Sequence, residues 1–201
     1  MMTTRRVFLS AGAALFAGAM PAAPARAADP DSAAAFVDSM LRELLAVANG
    51  GQPVTAKREA LARIVEARVD LDAVARFCLG RFWRMATPKQ QADYSALFRR
   101  VLIRNISEKV GEYEGVTYSL GRAVARGEDI AVSTVVTRPG NAPNKVDWVV
   151  EADGAPKVID VIAEGTSLRL TQRSDYASYL SRNGNDVQAL IDALRRQAAA
   201  G

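Results

Sequence analysis

The sequence lacks histidine and has a single cysteine, and these two absences remove much of the usual chemistry of an enzyme site. Without histidine, neither a Ser-His-Asp triad nor a Cys-His pair can form, and histidine-containing zinc sites are excluded. A lone cysteine cannot form an internal disulfide bond. Cys78 lies between Phe77 and Leu79, a setting that favours a buried thiol over a reactive nucleophile. We therefore predict no catalytic residue, no metal site and no cofactor.

The sequence also lacks an apolar run long enough for a permanent membrane helix. The apolar run at residues 7–20 is too short for this role and follows a pair of arginines, Arg5 and Arg6. Small residues around Ala27 then fit the site that a signal peptidase reads. This pattern predicts a cleaved export signal of the twin-arginine type, with a general secretory signal as the alternative.

A strong excess of positive charge is missing once this signal is removed. The whole chain carries 26 basic and 22 acidic residues, a net charge of +4. Residues 1–27 contain three arginines and no acid, so residues 28–201 have 23 basic and 22 acidic residues. Nucleic-acid binding would need a concentrated basic surface, and we predict no such partner. Residues 28–201 are long enough for one domain with a hydrophobic core, which we expect to be a periplasmic monomer.

Helical periodicity occupies both ends of this domain, with apolar residues recurring at intervals of three and four. Asp70 is a candidate N-cap, and Thr87, Pro88 and Gln90 form a helix-start signal. The predicted helices cover residues 32–48, 55–67, 71–79, 88–113, 168–181 and 186–198.

Alternation of period two between these helical regions predicts four strands joined by short turns. They cover residues 116–120, 130–136, 146–151 and 157–163. Consecutive strands with short links form an antiparallel meander. We therefore predict an α+β fold of helices packed on a four-stranded, strongly twisted antiparallel sheet, an NTF2-like cone with an apolar pocket between helices and sheet. A core filled by side chains fits the same pattern equally well.

Three stretches of the chain carry a family resemblance when they are taken in order. They are residues 75–90 (ARFCLGRFWRMATPKQ), the long helix before the first strand, and residues 158–176 (VIDVIAEGTSLRLTQRSDY). Together they resemble the MlaC family, the toluene-tolerance or Ttg2D-type proteins. The resemblance implies a periplasmic phospholipid carrier that works between an outer-membrane lipoprotein complex and an inner-membrane ABC transporter. A branch of the family linked to hopanoid transport leaves hopanoid as the alternative cargo.

Apolar and aromatic residues of the motifs, helices and strands are the candidates for the wall of a lipid pocket. Each of them is also a candidate for ordinary core packing. These residues are Phe77, Leu79, Phe82, Trp83, Phe98, Leu102, Ile106, Trp148, Val150, Ile162, Leu168 and Tyr176.

Asp160 lies in an otherwise apolar strand and has three interpretations. It is a structural partner of Arg173 or Arg81, a group that orients the lipid headgroup, or a catalytic base. The competing enzyme hypothesis uses Asp147 or Asp160 as base and Tyr118 as acid in an apolar pocket. A third hypothesis, a protein-docking adaptor, predicts no cavity.

Overall fold

The structure, a computed structural model, describes residues 29–151 and 153–200, so the predicted export signal lies outside the described residues. None of the described helices is long and apolar enough to cross a membrane. The helices are α1 (Pro30–Asn49), α2 (Val54–Arg68), α3 (Leu71–Leu79), α4 (Pro88–Ser107), α5 (Leu168–Arg182) and α6 (Val187–Ala199). The strands are β1 (Thr117–Arg126), β2 (Asp129–Thr137), β3 (Asn144–Val150), β4 (Val158–Ala163) and β5 (Thr166–Ser167).

The predicted helix starts are confirmed by their side-chain caps. The Asp70 carboxylate accepts a hydrogen bond of 2.8 Å from the backbone N–H of Ala73 at the start of α3. At the start of α4, Thr87 Oγ1 accepts from the Gln90 N–H at 3.2 Å, and Gln90 Oε1 accepts from the Thr87 N–H at 3.0 Å. Each bond satisfies a backbone donor that has no partner within its helix.

The end of α4 differs from the prediction, because the helix stops at Ser107 and not near Tyr113. A separate 3₁₀ helix follows at Val110–Tyr113. Gly111 lies within this segment, and glycine weakens an α-helix by about 1 kcal/mol relative to alanine. The apolar spacing alone did not reveal this interruption.

The sheet has the order β1-β2-β3-β4-β5, with every neighbouring pair antiparallel. The four predicted strands form in the predicted order, but the predicted count of four strands is wrong. The additional strand, β5, pairs through Ser167 with Ile162. It forms because Glu164 and Gly165 adopt φ values of 51° and 80°, the left-handed pair that a two-residue hairpin turn requires. Two residues are too few to show an alternating pattern in the sequence.

The sheet register separates two apolar faces, and helices cover both. One face carries Ile130, Val132 and Val150, which share a core with Val37 and Met40 of α1. The opposite face carries Val149 and Ile162, with Ala73 of α3 packed against this second, smaller core.

A third core lies among α3, α4, α5 and α6 without a sheet residue. Tyr94 is fully buried at this core, and its hydroxyl donates to the carbonyl oxygen of Ala75 at 2.9 Å. The Phe98 and Tyr176 rings lie 5.9 Å and 6.2 Å from the Tyr94 ring, in tilted and edge-on arrangements. This helical layer supports the far side of α3, whose outer side faces the cleft described next.

Candidate functional site

A cleft of about 750 Å³ opens beside α3 and the 3₁₀ helix Gly80–Arg84. Its volume is within the range of roughly 300–1,000 Å³ that is typical of small-molecule sites. Ser95 of α4 and Arg173 of α5 also line it. The lining combines aromatic rings, acids and arginines: Phe77 and Trp83; Asp70 and Asp72; Arg76, Arg81, Arg84 and Arg173.

The lining of the cleft is apolar in part, and one of its apolar residues also packs against a core of the domain. Ala73 lines the cleft and also packs against the core that contains Val149 and Ile162. At the other end, Gly80 has a φ of 59°, and a Cβ there would lie 3.0 Å from Arg173 Nε. Glycine therefore permits both the turn after α3 and the close approach of the Arg173 guanidinium.

The two acids of the cleft are already engaged by neighbouring groups. Asp70 caps α3 through the Ala73 N–H, as described above. Asp72 forms an ion pair of 3.0 Å with Arg99 of α4. The cleft therefore keeps an excess of positive charge.

Asp160 is buried behind α3, and its carboxylate oxygens are taken up by groups of β4, β5 and α5. They accept hydrogen bonds from Ser167 Oγ at 2.6 Å, from the Val161 N–H at 2.8 Å and from the Arg169 N–H at 3.1 Å. Arg169 Nε lies 3.4 Å from Oδ2, so the ionic partner is Arg169. The expectation that Arg173 or Arg81 forms this pair is wrong, because the β5 turn brings the start of α5 directly over Asp160.

The acid and the bases of the enzyme hypothesis lie on opposite faces of the sheet. Tyr118 is on the α1 face, where its hydroxyl donates to Asp38 at 2.7 Å. Asp147 pairs in register with Ser133 on the other face and accepts a 2.6 Å hydrogen bond from its hydroxyl. Asp160 shares that second face. Neither carboxylate can therefore act on the same substrate atom as Tyr118 without passing through the sheet.

Cys78 is a buried thiol, as predicted, with 1% of its surface exposed. Burial, and to a smaller extent the charge of Asp160, raise its pKa to about 12, against the opposing charges of Arg169 and Arg173. The thiol lies 3.6 Å from the carbonyl oxygen of Arg169, to which it donates. A protonated, enclosed thiol of this kind is a core group and not a nucleophile.

The residues predicted to line a lipid pocket do not form one continuous wall. Phe77 and Trp83 line the cleft. Leu79, Phe82 and Phe98 lie in the helical core, with Leu102 and Tyr176 at its edge. Val150, with Trp148 beside it, lies on the α1 face of the sheet, and Ile162 lies on the opposite face. Ile106 is half-buried on α4, and Leu168 is exposed at the start of α5. Their contact with lipid stays a prediction.

Sequence reasoning missed the arginines as a group, although it used Arg81 and Arg173 as candidate partners of Asp160. The signal was present in residues 76–84, RFCLGRFWR, where arginines alternate with aromatic residues. Such interleaving places guanidinium groups beside aromatic rings, where they stack.

Comparisons with known proteins agree on one family. The family model described as "MlaC protein" matches residues 34–196 of the chain. The toluene tolerance protein ttg2D of Pseudomonas putida is 30% identical over 145 residues, which are 70% of this chain and 67% of that protein. A phospholipid-binding protein from Ralstonia solanacearum, solved in complex with a phospholipid, is similar with a TM-score of 0.72 and 26% identity. That likeness covers 83% of this chain and 97% of the Ralstonia chain.

Proposed function

The chain belongs to the MlaC protein family, and on this basis we propose that it is a periplasmic phospholipid carrier. It shuttles lipid between an outer-membrane complex and an inner-membrane ABC transporter. The observation that carries the proposal is the structural likeness to the Ralstonia protein, which holds a phospholipid and is matched over 97% of its length.

The architecture suits a carrier because several apolar layers meet within one domain. A lipid carried through water must bury its acyl chains, since each buried CH₂ group contributes about 0.8 kcal/mol. In our proposal, the twisted sheet and its helices form an NTF2-like cone whose layers part to admit these chains. We propose that Leu102, Ile106 and Trp148, which are half-buried, line the space that opens.

Binding without catalysis is the function that the side chains support. Asp160 is held by four contacts, and Tyr118 lies across the sheet from both candidate bases. The cargo we propose is phospholipid, because the Ralstonia structure contains one. None of the reported comparisons names a hopanoid, and we do not favour that alternative.

The test is the lipid content of the protein itself. After export and gentle purification, native mass spectrometry and organic extraction are expected to find phospholipid bound to the monomer. The carrier proposal fails if the native protein contains no lipid and also binds no added phospholipid.

A substitution of the half-buried Leu102 on α4 distinguishes the carrier hypothesis from the adaptor hypothesis. Leu102→Trp fills the proposed acyl-chain space and is expected to reduce lipid loading about tenfold or more, with its docking to membrane complexes preserved. Ala96→Trp adds the same ring at an exposed position of α4 and is the matched control. Circular dichroism verifies that both variants fold. Equal loading of both variants would contradict a lipid pocket at Leu102.

A further inference from the structure

Four arginines of the cleft have no acidic partner among the described residues. Arg76, Arg81, Arg84 and Arg173 all line the cleft, and none of them belongs to an ion pair of the described chain. Arg76 lies on α3, Arg81 and Arg84 lie on the 3₁₀ helix, and Arg173 lies on α5. Three elements therefore bring unpaired arginines to one concavity.

Aromatic rings lie against two of these guanidinium groups, those of Arg76 and Arg173. The guanidinium carbon of Arg76 lies 5.3 Å from the centre of the Trp83 ring, and that of Arg173 lies 5.0 Å from the Phe77 ring. Stacking of this kind restrains the guanidinium plane but leaves its N–H edge free to donate. The arginines are therefore preorganised as donors, which lowers the entropy cost of binding an anion.

Guanidinium groups that are stacked on a ring and have a free N–H edge match the geometry of a phosphate group. An arginine donates two parallel N–H···O bonds to a phosphate or carboxylate, and these charge-assisted bonds are roughly twice as strong as neutral ones. The cleft also has an apolar part, formed by Phe77, Trp83 and Ala73. Charged and apolar groups in one cleft fit an amphiphile better than they fit a wholly hydrated ion.

We infer that this arginine cleft is a phosphate-binding site, and that Arg76 and Arg173 are its two principal ligand-binding residues. The inference rests on the proposed function for the source of the phosphate, which is then the headgroup of the carried phospholipid. A free phosphate ester has the same chemistry, so the experiment must separate the two sources.

The experiment measures binding by isothermal titration calorimetry after lipid removal. Three ligands separate the phosphate from the tails: dihexanoyl-phosphatidylglycerol, dihexanoylglycerol and glycerol 3-phosphate. The double variant Arg76→Gln/Arg173→Gln removes two charges from the cleft. The double variant Arg58→Gln/Arg122→Gln removes two exposed charges of α2 and β1 and is the matched control.

We expect the cleft variant to bind dihexanoyl-phosphatidylglycerol about tenfold more weakly. The loss of a hydrogen bond to a charged group changes a dissociation constant by about this factor. Its affinity for dihexanoylglycerol should stay within about twofold of the unmodified protein, and higher salt should reduce the difference. The control should bind all three ligands normally. This result assigns the phosphate to the lipid headgroup.

Each other result has a definite meaning. Weaker binding of glycerol 3-phosphate alone supports a phosphate site and assigns it to a soluble ester. Unchanged affinities for both phosphate ligands overturn the inference, and a loss of docking to membrane complexes would then assign the arginines to an acidic protein surface. If the unmodified protein binds neither dihexanoyl lipid and also contains no lipid when purified, the carrier proposal fails, whereas the glycerol 3-phosphate titration still tests the cleft.

Discussion

At the scale of single residues, one buried carboxylate binds groups from three elements of the fold. Asp160 is the one carboxylic acid among the buried residues that the structure describes. It connects β4, β5 and the start of α5 through Ser167 and Arg169. Burying a charge is costly unless hydrogen bonds and an opposite charge compensate it, and Asp160 has both. Its role is therefore to fix α5 against the sheet.

Removing this carboxylate should destabilise the protein strongly. Asp160→Ala leaves the Ser167 hydroxyl, two backbone N–H groups and the Arg169 guanidinium without their acceptor. We expect the free energy of unfolding to fall by about 3 kcal/mol, as measured by urea denaturation. Glu66→Ala, at an exposed position of α2, should change it by about 0.5 kcal/mol or less. A loss no larger than that of the control would contradict the structural role.

Cys78 gives a prediction for alkaline pH. The unfolded thiol ionises near its usual pKa of 9.0, but the native thiol stays protonated up to about pH 12 because it is buried. Above pH 9 the unfolded state therefore binds fewer protons than the native state, and the free energy of unfolding falls as pH rises. The thiol contributes a slope of up to about 1.4 kcal/mol per pH unit.

The measurement is urea denaturation at pH 7.5, 9 and 10. Cys78→Ala has no thiol to ionise, so its loss of stability between pH 9 and pH 10 should be smaller than that of the unmodified protein. Burial also raises the pKa values of Tyr94 and Tyr176, which add losses of the same sign in both proteins at higher pH. Parallel pH profiles for the two proteins would show that the thiol does not contribute.

At the scale of elements, the segment from α3 to α4 determines the shape of the cleft. The chain leaves α3 at Gly80, passes through the 3₁₀ helix Gly80–Arg84 and enters α4 at the Thr87 capping box. This path places Trp83 and Arg84 opposite the outer side of α3. The 3₁₀ helix between α3 and α4 is consequently one boundary of the candidate site, and the capping box fixes where α4 begins after it.

The cap should have a measurable contribution to stability. Thr87→Ala removes the oxygen that accepts from the Gln90 N–H, and we expect the free energy of unfolding to fall by about 1 kcal/mol. Lys89→Ala removes an exposed pair with Asp93 in the same turn and should cost only about 0.3–0.5 kcal/mol. Urea denaturation distinguishes the two values. Equal effects would mean that the capping box does not stabilise α4.

At the scale of the whole molecule, three apolar cores meet in a domain of mixed helices and sheet. One core lies on each face of the sheet, and the third lies among helices alone. Few apolar contacts cross from one separately packed core to the next. A domain therefore opens between such cores with the smallest loss of apolar contacts. A ligand that fills the opened space must then stabilise the native state.

Bound phospholipid should therefore raise the melting temperature. With free short-chain phospholipid at about 100 times its dissociation constant, binding contributes about 2.7 kcal/mol to stability. For a protein of this size, that corresponds to a rise of roughly 5–10 °C, which differential scanning calorimetry can measure. Leu102→Trp, in which the added ring occupies the lipid space that we propose, should show a much smaller rise. An equal rise in both proteins would indicate that the lipid acts elsewhere.

Local patterns in the sequence were enough to predict the kinds of element and most of their order. The helix starts at Asp70 and Thr87 and the four long strands were readable because caps and alternation act over a few residues. The missing histidine and the ordered motifs also directed the functional interpretation to a carrier before any contact was known.

Tertiary structure alone decided which distant residues meet. The two-residue strand β5 has no periodicity of its own, and its turn made Arg169 the partner of Asp160. The cleft likewise joins Asp70, Ser95 and Arg173, which are separated widely along the chain. Contacts between residues so far apart in the chain depend on how whole helices pack against a twisted sheet. Patterns within a few residues therefore cannot predict them.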